Sequence, residues 1–133
     1  MASLLLVTED RGFATAVEAL SGTDLTVSHA HAEEAVAMAR QERPDVLAID
    51  TDSVVEAGML ITTLTVVTRS LVVAVAQQAW PGSEAAGVWG RAGAEAVLPK
   101  PSGAASPSLA GVDREAYARW FVDLVRSSRE NAT

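Results

Sequence analysis

Hydrophobic residues along the chain fall into short unbroken runs, separated by segments whose apolar positions recur at helical spacing. Leu4-Leu5-Leu6-Val7 is the first run, of the length and continuity expected of a strand buried on both faces of a sheet. Thr8-Glu9-Asp10 ends it. Phe13, Val17 and Leu20 then repeat at helical spacing until Ser21-Gly22, a pair that stops helices. Leu25-Thr26-Val27-Ser28 alternates, which predicts a second strand nearer an edge. From His31 to Glu42 the chain is alanine-rich, with acids early and Arg40 late, the order a helix dipole favours. Arg43-Pro44 closes that helix.

Asp45 to Asp50 is a third, almost wholly apolar strand. The next stretch, Ser53 to Arg69, pulls two ways. Ile61 to Thr68 is β-branched and reads as strand by propensity, yet Met59-Leu60, Leu64 and Val67 also satisfy helical spacing. An alternating chain needs a crossover here, so a helix is expected. Leu71 to Ala76 is the fourth strand, and Gln77 to Gly82 a loop. Ser83 to Arg91 reads as a helix capped by Ala92-Gly93, and Ala96-Val97-Leu98 as the fifth strand. After Pro99-Lys100-Pro101 a Ser/Ala/Gly/Pro-rich loop spans Ser102 to Gly111. A last helix is expected from Asp113 to Ser128, with Ala116, Trp120, Phe121, Leu124 and Val125 on its apolar face. Strands alternating with helices predict a parallel, doubly wound α/β sheet. One domain is expected over residues 1–128, with a frayed tail at 129–133.

Composition narrows the function classes. The 133 residues fit a single domain. A net charge of −7 and a pI near 4.7 argue against nucleic acid as the main partner, since phosphate backbones call for a basic patch. Without cysteine, disulfides and thiol chemistry are excluded. No apolar run reaches the roughly 18 residues of a membrane span, and the N-terminus lacks a signal-peptide charge pattern. A soluble cytoplasmic domain is expected. The basic residues are nine arginines and a single lysine, Lys100.

In doubly wound sheets, chemistry gathers beyond the carboxyl ends of the strands. Thr8, Glu9 and Asp10 follow the first strand, Asp50 and Asp52 the third, Ala76 the fourth, and Lys100 the fifth. Together they would form an acidic cup with one ammonium, suited to a hard divalent cation. A carboxylate beside such a cation can attack phosphorus while lysine steadies the phosphoryl charge.

Two segments then carry a resemblance. Pro44-Asp45-Val46-Leu47-Ala48-Ile49-Asp50 and Ala92-Gly93-Ala94-Glu95-Ala96-Val97-Leu98-Pro99-Lys100-Pro101 resemble the third-strand and fifth-strand segments of response-regulator receiver domains of two-component signalling. The likeness covers Leu4 to about Ser128. It implies a flavodoxin-like five-stranded sheet of order 2-1-3-4-5, Asp50 as phosphoacceptor, Lys100 in contact with it, and a cis Lys100-Pro101 bond. Magnesium would be held by Glu9, Asp50 and Asp52. The departures are equally specific. The family's first acid falls at Thr8 and its second at Glu9. Its strand-four hydroxyl falls at Ala76, its strand-five aromatic at Val97, and the loop after Asp50 lacks Met-Pro.

An atypical receiver is therefore expected, with no required cofactor, magnesium binding weak if present, and phosphorylation weak or absent. It would act through a protein partner, a kinase or an output protein, or pair with itself through its fourth helix, fifth strand and fifth helix. A working magnesium-dependent phosphoacceptor is the rival reading. A further alternative is the N-terminal pseudo-receiver of a larger regulator or of a pilus-assembly or septum-site ATPase. A flavin or nucleotide binder ranks last, because no glycine-rich loop follows the first strand. Glu9 and Asp10 fit metal ligation or a helix N-terminal acid pair equally well. His29 and His31 are expected at the surface without a third ligand. Trp80 and Trp89, like Trp120 and Phe121, fit either core packing or partner anchoring.

Overall fold

A computed structural model of the chain describes residues 2–19, 25–76, 83–99 and 123. Five parallel strands lie in the order β2-β1-β3-β4-β5: β1 (Ala2–Val7), β2 (Leu25–Ala30), β3 (Val46–Asp50), β4 (Leu71–Ala76) and β5 (Ala96–Pro99). The helices between them are α1 (Arg11–Glu18), α2 (Ala35–Glu42), α3 (Ala57–Val67) and α4 (Glu84–Ala92). β1 pairs with β2 through Leu4↔Val27 and with β3 through Leu4↔Val46, and Asp50 pairs with Val75 of β4. The expected architecture and strand order are both present.

The unbroken apolar runs divide by parity between the two faces of the sheet, as the strand period of two demands. Leu4, Leu6, Val46, Ala48, Val73 and Val75 meet Phe13, Ala14 and Val17 of α1 on one face. Leu5, Val7, Leu47, Ile49, Val72 and Ala74 meet Ala35 and Ala39 of α2 and Ile61 and Leu64 of α3 on the other. β2 lies at one edge of the sheet, as its alternating sequence predicts, and it continues to Ala30.

Two helices start later than their sequences imply. His31 to Glu42 is not one helix. A 3-10 turn at Ala32–Glu34 comes first, closed by a capping box in which the Glu34 carboxylate accepts from the His31 N–H, and α2 follows. α3 begins at Ala57 rather than near Ser53, because residues 51–56 turn beneath Asp50: the N–H groups of Ser53 and Val54 both donate to its carbonyl. The β-branched tail of α3 is helical nonetheless. Thr62 and Thr68 return their hydroxyls to the carbonyls of Gly58 and Leu64 at 3.0 and 2.6 Å, and Thr65 donates to that of Thr62, while Ile61 and Leu64 are fully buried. Tertiary burial outweighs the propensity for strand. α4 is capped by Ser83, whose Oγ accepts from the Ala86 N–H, and it ends at Gly93 with φ of 123°. A Cβ there would come within 3.2 Å of Thr65, and with the positive φ this favours glycine.

Among the described residues no helix is long and apolar enough to cross a membrane. Lys100, the Lys100-Pro101 bond, Trp80, Trp120 and Phe121 lie outside them. Of the expected last helix only Asp123, which is helical, is described.

Candidate functional site

The carboxyl ends of β1 and β3 bring Thr8 and Asp50 together, and both are fully buried. Thr8 Oγ1 donates to Asp50 Oδ2 at 2.6 Å, and Ser53 Oγ donates to the same oxygen at 2.9 Å. Each hydroxyl accepts in turn from a backbone amide, Thr8 Oγ1 from Asp10 N at 3.0 Å and Ser53 Oγ from Glu9 N at 2.9 Å. Both hydroxyl protons are thereby directed at the carboxylate. Two relays of amide, hydroxyl and carboxylate converge on Oδ2, and successive bonds in such chains polarise one another. Asp50 Oδ1 accepts from Asp52 N at 3.3 Å. A buried carboxylate needs this kind of satisfaction, since leaving it bare would be costly.

Two of the acids beside it have partners of their own. Asp10 caps α1, accepting from Phe13 N at 3.1 Å. Glu9 reaches across to the 3-10 turn, where it accepts from Ala32 N at 2.9 Å and from His31 Nδ1 at 2.7 Å. Asp52 is exposed. Magnesium asks for octahedral oxygen ligands, including one or two carboxylates. No group of three His, Asp or Glu side chains among the described residues is placed to hold a metal. Among the described residues the hydroxyls of Thr8 and Ser53 and the Asp52 amide donate to the Asp50 carboxylate.

His31 is exposed as expected, whereas His29 is half-buried: its Nε2 donates to the Thr8 carbonyl at 2.8 Å, and its Nδ1 lies 3.9 Å from Glu18. The extra length of β2 causes this, by carrying His29 onto the strand beside β1. The two rings meet edge to face at 5.0 Å. Ala76 is buried at the end of β4 and has no hydroxyl to offer, and Val97 is half-buried. Trp89 packs in part against the core beneath α2 and α3. The roles of Thr8 and Ser53 were not visible in the sequence as a pair. The available signal was a hydroxyl at an acidic position together with a serine three residues after Asp50, a spacing that favours local turns.

The amide of Ala32 and then His31 hold the Glu9 carboxyl below its usual value of 4.5. A lowered carboxyl stabilises the fold above its unfolded value and loses that contribution as pH falls through the folded one. Glu9→Gln is therefore expected to flatten the acid limb of the stability profile. Because the Glu9 side chain is 40% exposed, the change should stay below about 1 kcal/mol. Thermal melts between neutral and acid pH would check it, and an unchanged acid limb would refute it.

No protein-family model matches the sequence, and no curated protein matches it either. Solved structures do resemble the fold. The response regulator domain of Thermotoga maritima CheB superposes with a TM-score of 0.77 at 18% identity, over 98% of this chain and 97% of that one. A structure of the P1 domain of CheA3 in complex with CheY6 from R. sphaeroides gives 0.61 at 24% identity, over 78% and 85%. A putative pilus assembly-related protein from Burkholderia pseudomallei gives 0.65 at 19% identity, over 98% and 90%. With five parallel strands in the order 2-1-3-4-5 and helices on both faces, this chain has the fold of response-regulator receiver domains.

Proposed function

We propose that this chain is an atypical receiver module of signal transduction, acting by protein–protein contact rather than by catalysis. In this reading Asp50 is withdrawn from phosphoryl chemistry. The carrying observation is the 2.6 Å bond from Thr8 to a fully buried Asp50. A phosphoacceptor must present an oxygen to incoming phosphorus beside a cation, whereas this carboxylate is enclosed by protein donors. Lys100 keeps a structural pairing with Asp50 in the same reading, and any magnesium binding is weak. Switching is also curtailed. Ala76 has no hydroxyl to move toward a phosphoryl group, and Val97 is small, so two conformations would differ little in their affinity for one.

Output then depends on a constant surface that includes α4 and β5. A kinase, an output protein or a second copy would dock there. The neighbouring complex of CheY6 with a CheA3 domain supports protein partnership as the general mode. The fit to the pilus assembly-related protein, over 98% of this chain and 90% of that one, supports as a second reading a role in an assembly apparatus.

The test is beryllofluoride with magnesium, followed by NMR of the wild type and of Asp50→Ala. Spectra should barely change in either. Amide shifts across α4 and β5 in the wild type that vanish in Asp50→Ala would overturn the reading.

A further inference from the structure

At the opposite end of the sheet, about 17 Å from Asp50 along β3 at strand rise, the ends of α2 and α3 line an open surface cavity of about 660 Å³. That volume lies within the range of small-molecule sites. Three of the chain's nine arginines line it: Arg40 in the last turn of α2, Arg43 just past its end, and Arg69 between α3 and β4. No salt bridge among the described residues engages any of the three. Asp45 is the single acid in the lining, and its Oδ2 already accepts from the amide and hydroxyl of Ser3.

Cations at helix ends often serve only to answer exposed carbonyls. Here two of those carbonyls, one at each helix end, already have backbone or hydroxyl donors. The Leu64 carbonyl accepts from both the amide and the hydroxyl of Thr68, and the Ala39 carbonyl from the Arg43 amide. The Arg43 backbone supplies a second observation. It is left-handed, with φ of 49° and ψ of 58°, immediately before Pro44. Glycine is the usual residue at such a helix end, and the position before proline disfavours helical conformations. A guanidinium is thus held at the cavity where a glycine would relieve the backbone. The Ser70 hydroxyl donates to the Pro44 carbonyl, and the Leu71 amide to that of Asp45. These two bonds lock together the loops that carry Arg43 and Arg69.

From this geometry we infer that the cavity is a binding site for a small phosphate-bearing molecule of two or more negative charges. Guanidinium forks match phosphate oxygens in pairs, and a net-acidic protein gathers them in one place. Ala39, Pro44 and Val67 add an apolar wall, which favours a ligand with a non-polar or planar body, such as a nucleotide. The site is independent of Asp50 and of the reading given to it.

The experiment titrates the whole chain, in magnesium-free buffer of low ionic strength, with sodium pyrophosphate and separately with ADP. NMR follows the amides, and melting curves follow stability. Saturable shifts are expected at Arg40, Arg43, Arg69 and Ser70. Equal affinities for the two ligands would place recognition in the phosphates, and tighter ADP binding would add the apolar wall. Arg43→Gly and Arg69→Gln should each weaken binding by about tenfold, the loss of one charge-assisted contact. Arg43→Gly should melt no lower than the wild type, because glycine tolerates the left-handed backbone, so unfolding cannot explain its loss. Asp50→Ala should bind as the wild type does. Failure to saturate with either ligand, binding that both arginine substitutions leave unchanged, or shifts confined to the carboxyl ends of the strands would overturn the inference.

Discussion

Replacing Thr8 with aspartate is expected to create a magnesium site where the wild type has a closed hydrogen-bond net. Thr8 Oγ1 stands 2.6 Å from Asp50 Oδ2, so a carboxyl at the same position would face a second carboxyl across a buried gap. Two such groups cannot both ionise there without help. In the presence of a chelator the Thr8→Asp protein should therefore melt well below the wild type. Magnesium then turns the repulsion into ligation, because the paired oxygens suit a hard cation. At about a hundred times the dissociation constant the bound ion restores roughly 2.7 kcal/mol. Wild-type melting should be almost insensitive to magnesium over the same range. The measurement is a pair of magnesium titrations followed by thermal unfolding. A wild type that gains as much as Thr8→Asp would show that the hydroxyl net is no barrier to the cation.

The sequence and the structure agree wherever apolar periodicity was strong. Leu4 to Val7, Val46 to Ile49 and Val72 to Ala76 are uninterrupted runs, and they are the buried centre of the sheet. Local chemistry decided the remainder. The start of α3 moved because the carbonyl of Asp50 captures the amides of Ser53 and Val54, a contact that no hydrophobic pattern records. α2 was shortened by a capping box between His31 and Glu34, whose spacing is legible only once the box is suspected. At the site, the loss of an acid at Thr8 was readable, but the replacement was not. That Thr8 and Ser53 would converge on one oxygen depends on the β1–β3 register and on the turn after β3, both tertiary facts. Glu9 shows the same limit: nothing in its residue type indicates that the 3-10 turn after β2 would give it the Ala32 amide and the His31 ring as partners.

That convergence can be weighed with Thr8→Val, which keeps the side chain's shape and removes its oxygen. The substitution deletes the bond to a buried carboxylate at 2.6 Å and also strips the Asp10 amide of its acceptor at 3.0 Å. Hydrogen bonds to charged groups contribute about 1.5–3 kcal/mol, and loss of the bond from the part-buried Asp10 amide adds about 1 kcal/mol. A loss of roughly 2.5–4 kcal/mol is therefore expected from chemical denaturation. The amide term belongs to Thr8 alone, whereas the carboxylate term belongs to the pair, and a double-mutant cycle separates them. In an Asp50→Ala background the Thr8→Val change should retain only the amide term, about 1 kcal/mol. The difference between the two backgrounds is the coupling of Thr8 to Asp50. Equal losses in both would mean that Thr8 stabilises the fold without holding Asp50, and the carboxylate would then have to be treated as available for chemistry.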